Sequence, residues 1–132
     1  MTAREWLRTL YVPVLIGSGK AVRQTARRLF WCYGLVSHVF CHRVPLFLRF
    51  SLFTVCHRLP RENSHDFFAL ALSDFADDVL AADRQPLLIL CEDAPEWSAL
   101  APLESKYVVC REDHISDLFA HLIQSTQGEQ SL

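Results

Sequence analysis

Acidic residues are almost missing from the first half of this chain. Between Met1 and Arg61 the only acid is Glu5, against ten lysines and arginines, a net of +9. From Glu62 to Leu132 there are fourteen acids and three bases, a net of −11. The overall −2 therefore conceals two opposed halves. Such halves complement each other inside the fold, form a phosphate or nucleic-acid face, or attract a second copy of the chain. Also missing is an apolar leader, because Arg4, Glu5 and Arg8 interrupt the start and argue against a signal peptide. No C-x-x-C spacing joins the five cysteines, an odd number, so neither a zinc knuckle nor a paired disulfide framework is expected. Free thiols in a reducing cytoplasm are the economical expectation. Repeats and low-complexity segments are absent too.

Two further absences bear on partners. Leu29 to Val55 holds no acid and is nearly continuous in apolar residues. His38, His42, Arg43, Pro45 and Arg49 interrupt it, and an arginine at bilayer depth is costly, so no membrane span is expected. Trp6, Trp31 and Trp97 are scattered rather than interleaved with bases, so no nucleic-acid platform is expected.

What is present reads as a packed globule. The chain has 132 residues, 51% apolar and 21% charged, enough for one domain with a real core. Apolar runs suited to buried strands fall at Val12–Ile16, Val36–Cys41, Phe53–Arg58, Pro86–Cys91 and Tyr107–Cys110. Helical spacing of apolar residues predicts helices over Lys20–Tyr33, His65–Ala82 and His114–Ile123. Shorter helices are expected before strand 1, with Thr2 as cap and Glu5 completing the box, and over Ala94–Leu100. Strands alternating with helices predict a three-layer α/β domain over residues 1–123 with about five mostly parallel strands. The expected order is 3-2-1-4-5, and residues 124–132 read as a flexible polar tail. This pattern resembles Rossmann-like open sheets.

Three places carry candidate chemistry. The first is the turn Gly17-Ser18-Gly19-Lys20 between strand 1 and its helix, where backbone N–H groups and a lysine can meet an anion. Val22 stands where a dinucleotide fingerprint needs its third glycine, and no acid follows strand 2. Val14 and Ala21 likewise break a P-loop pattern, so the turn serves as an anion site or as a simple strand-to-helix connection. The second is the pair Cys41-His42 and Cys56-His57, with Cys91 and Cys110, near the carboxyl ends of four strands. Adjacent strand residues face opposite sides, so no metal is expected there, while His42 or His57 could in principle serve Cys91 as a base. The third is Cys91-Glu92-Asp93, two acids that either meet a ligand or cap the next helix.

Val14-Leu-Ile-Gly-Ser-Gly19, Phe53-Thr-Val-Cys-His-Arg-Leu-Pro60, the Asp66–Leu80 helix and Pro86-Leu-Leu-Ile-Leu-Cys-Glu92 together resemble the N-terminal, pre-ATP-grasp lobe of ATP-grasp carboxylate–amine ligases. The likeness covers about Tyr11 to Arg111. It implies a lobe that shapes part of an acceptor-substrate site and packs on the ATP-binding lobes, which have no counterpart in these 132 residues. The expectation is therefore a non-catalytic module without a cofactor, acting through a protein partner or as a homo-oligomer. The alternative is a binding protein or small enzyme for a nucleotide or other anionic metabolite at Gly17–Lys20.

Overall fold

The computed structural model describes residues 3–17, 19–41, 52–59, 64–91 and 103–130. In chain order the elements are α1 (Ala3–Leu10), β1 (Tyr11–Ile16), α2 (Lys20–Tyr33), β2 (Ser37–Cys41), β3 (Thr54–Arg58), α3 (Ser64–Ala81), β4 (Gln85–Leu90) and β5 (Val108–Arg111). A 3₁₀ turn (Glu112–His114) then leads into α4 (Ile115–Gln130). The strands form one all-parallel sheet in the order β3-β2-β1-β4-β5, the Rossmann-like arrangement expected from the strand–helix alternation.

Strand alternation divides the core into two layers. Leu15, Val39, Leu87 and Ile89 pack with Val22, Ala26 and Leu29 of α2, Leu7 of α1, and Ile115 and Phe119 of α4. Val14, Ile16, Phe40 and Leu88 face the other way, onto Leu72 and Ala76 of α3 and onto Leu103 and Tyr107. Helices therefore cover both faces of a sheet whose central strand is buried from Val12 to Ile16. Tyr107 donates its hydroxyl to the Leu72 carbonyl at 2.6 Å, and Lys106 bridges Asp77 at 2.9 Å, tying the entry of β5 to α3.

Pro13 sits deeper in the strand than the sequence suggests. β1 begins at Tyr11, so the proline is an interior residue of the central strand, where a ladder donor is normally needed. The register explains the tolerance. Pairing of β1 with β4 starts at Tyr11, but pairing with β2 starts only at Val14. Pro86 in β4 repeats the arrangement, one residue before the β5 pairing that opens at Leu87. Each proline thus occupies a local edge within an inner strand.

Helix ends follow backbone chemistry. Gly34 adopts φ 71° after α2, and the amides of Gly34 and Leu35 return to the carbonyls of Phe30 and Leu29. Asp83 takes the same left-handed role after α3 at φ 59°, with Arg84 N–H bonding back to Val79. The last helix continues to Gln130, through the segment expected to be a polar tail. The expected Thr2 cap and the short helix at 94–100 lie outside the described residues. Among the described residues no helix is long and apolar enough to cross a membrane.

Candidate site at the carboxyl edge of the sheet

The strand order reverses between β1 and β4, and open α/β sheets bind ligands beyond the carboxyl ends of strands at such a point. The β1–α2 turn lies there. Gly17 adopts φ 113°, a conformation favouring glycine, and its N–H bonds the Phe40 carbonyl at 2.9 Å. Gly19 is different: at φ −81° and ψ −179° it is the extended N-cap of α2, with no side-chain cap bond. The first turn of α2 contains no acid and begins with exposed Lys20.

Beside this turn an open groove of about 720 Å³ separates α2 from the β5–α4 connection. Lys20, Gln24 and Arg28 line one wall at successive helical turns, with Ala21 and Thr25 behind them, and Glu112 and Asp113 form the other wall. Thr25 is buried and links the walls. Its hydroxyl donates to Glu112 Oε2 at 3.1 Å and accepts from the Cys91 thiol at 3.6 Å. Arg28 donates to the Ser116 hydroxyl, joining α2 to α4. The groove thus has a cationic helical wall and an acidic wall, with one acid held in place by a buried hydroxyl.

The sequence candidates divide around this site. Gly17 and Gly19 shape the turn, and Lys20 enters the groove. Ser18, His42, Glu92 and Asp93 lie outside the described residues. His57 lies elsewhere: it stacks on Phe40 at 4.4 Å and meets Phe75 edge-on, on the α3 side of the sheet. Cys91 is buried in the α2-side layer, so the sheet separates this thiol from His57 and that nucleophile–base pair is excluded. Cys41, Cys56 and Cys110 share the layer with Cys91, while His57 faces away from its neighbour Cys56, as strand alternation requires. Burial, reinforced by Cys56, pushes the Cys41 thiol up to about 11. Burial also raises Cys56, and burial with nearby Asp113 and Asp117 raises Cys110. These thiols are held in the protonated form, which is neither a good nucleophile nor a metal ligand. Among the described residues no group of three or more histidines, cysteines or acids could hold a metal ion.

Gln24, Thr25, Arg28 and Glu112 are not singled out as site residues by sequence reasoning. A second unannounced cluster is His38 with His57, whose Nδ1 and Nε2 lie 3.0 Å apart against Phe40 and Phe75. Burial first, then His57 and Arg84, lower His38 to about 4, and burial lowers His57.

Compared with known proteins, the chain matches no family model, no curated protein and no solved structure.

Proposed function

We propose that this protein is a non-catalytic binding module that takes a small anionic metabolite in the carboxyl-edge groove. The observation that carries this reading is the position of Lys20 and Arg28. Both line an open groove beside the start of α2, whose first turn has no acid and no side-chain cap. An anion there gains two cations and the positive end of a helix dipole. Glu112 and Asp113 across the groove suit hydroxyl or other donor groups on the same ligand. The raised thiols of Cys41, Cys56 and Cys110, and the separation of Cys91 from His57, favour binding over covalent chemistry.

The test is a thermal-shift and calorimetric screen with nucleotides, sugar phosphates and dicarboxylates. A true ligand at about 100 times its dissociation constant adds roughly 2.7 kcal/mol of stability, a clear rise in midpoint. Lys20→Ala with Arg28→Ala should abolish that rise while leaving the unliganded midpoint within a few degrees. Lack of any shift across the screen, or an unchanged shift in the double variant, would refute the reading.

A further inference from the structure

The two cations of the groove stand too far apart to serve one small anionic group. Lys20 and Arg28 occupy positions i and i+8 of α2, so their backbones lie about 12 Å apart along the helix axis. Arg28 is also held at its own level, because its guanidinium donates to the Ser116 hydroxyl on α4. Lys20 stands at the other end, beside the uncapped start of the helix. Among the described residues neither cation is paired with a carboxylate. The acids face the stretch between them. Thr25, whose hydroxyl holds the Glu112 carboxylate at 3.1 Å, comes after Lys20 and Gln24 and before Arg28 on the helix. Thr25 is itself buried and accepts from the Cys91 thiol behind it, so the level of this acid is fixed from inside the fold. Asp113 lines the same wall. Along its length the groove therefore runs cation, acid, cation.

Resting on that reading of the groove, we propose that its ligand is an elongated polyhydroxy dianion, with a phosphate at each end and hydroxyl groups between, as in an open-chain sugar or polyol bisphosphate. One phosphate meets Lys20 and the N–H groups of the first turn of α2. The other meets the Arg28 guanidinium, whose planar fork suits phosphate oxygens. The hydroxyls between them donate to Glu112 and Asp113. An ionised carboxylate only accepts, and it has room for several donors, so the bond from Thr25 leaves Glu112 able to take another. A dianion without those hydroxyls would set its own charge against two carboxylates with no donor between. A ligand with a single phosphate would leave Arg28 unmet. The volume of about 720 Å³ lies within the range of roughly 300–1,000 Å³ usual for small-molecule sites.

Isothermal titration of the full chain with three probes is the test. They are mannitol phosphorylated at both ends, mannitol phosphorylated at one end, and hexanediol phosphorylated at both ends, which keeps the length and charge without free hydroxyls. The doubly phosphorylated mannitol should bind about tenfold or more tighter than either of the others, since each lacks hydrogen bonds to charged groups that it makes. Arg28→Gln keeps an N–H donor for Ser116 and removes the charge. It should bring the bisphosphate down to the affinity of the monophosphate, and leave the monophosphate within about twofold of its wild-type value. Lys20→Ala should weaken both phosphorylated mannitols. Circular dichroism checks that these exposed substitutions leave the fold intact. A second phosphate that adds no affinity overturns the inference. So does an Arg28→Gln loss shared equally by the two mannitol probes, or a hexanediol probe that binds as tightly as its mannitol counterpart. Absence of binding by all three overturns it as well. The reading of the groove as an anion site falls only if the wider thermal-shift screen also shows nothing, so the two failures are told apart.

Discussion

Replacing Gly17 by alanine should destabilise the protein through the backbone alone. At φ 113° the residue lies outside the left-handed well that other residues can enter, so a side chain there costs about 1–3 kcal/mol. Sterics add little, because a Cβ at this position would meet only Val22 Cγ2, at 3.4 Å, an ordinary van der Waals distance. If the backbone relaxes to escape the strain, the 2.9 Å bond from Gly17 N–H to the Phe40 carbonyl is lost, at about 1 kcal/mol. Either route gives roughly 1–3 kcal/mol, or several degrees in midpoint for a domain of this size. The control is Gly19→Ser. Gly19 is extended and caps α2, so serine fits the conformation and supplies a cap oxygen, leaving stability unchanged or raised by a few tenths of a kcal/mol. Urea denaturation of both variants measures the contrast. Equal losses at the two positions, or a neutral Gly17→Ala, would refute the dependence of this turn on one strained glycine.

Stability should fall on mild acidification because of the histidine pair. His38 is lowered to about 4 against an ordinary 6.5, so the fold favours its neutral form. The contribution is complete above about pH 6.5 and is lost as pH falls toward about 4, worth roughly 1–2 kcal/mol after discounting for partial exposure. His38→Gln should flatten that limb of a midpoint-versus-pH curve, and an identical limb in variant and wild type would contradict it. Thiol labelling should follow burial: Cys32 is exposed and should react first, while Cys41 and Cys91 should react only on unfolding. Early modification of Cys91, read by mass spectrometry of peptides, would show that the α2-side layer opens in the native state.

The sequence announces elements whose signal is local. The bounds of α2 and the glycine that ends it follow from an amphipathic stretch closed by a residue able to take positive φ. The strand order follows because apolar strands joined through helices must cross over in one hand. Features set by distant pairing are not announced. Thr25 and Glu112 meet 87 positions apart in the chain, and neither carries a mark of the groove they support. His38 and His57 become neighbours only through the Phe40–His57 register of β2 and β3. The end of α4 is hidden for another reason: Gln124–Gln130 contains no large apolar residue, so the helical period has nothing to display.

The central strand also sets the order in which this chain must assemble. β1 pairs with β2 soon after it in sequence, but its other side waits for β4, where Val12 meets Pro86. During synthesis, β1, β2 and β3 are complete while one edge of the innermost strand is still bare. Until α3 and β4 follow, that apolar edge is the most exposed template the nascent protein offers for mispairing. Long-range parallel closure of this kind is slow, so folding should be limited by the arrival of β4 and not by the first half. The acid-poor first half, with a net of +9, would carry that bare edge under its own charge repulsion, which keeps like nascent chains apart until the acidic half arrives.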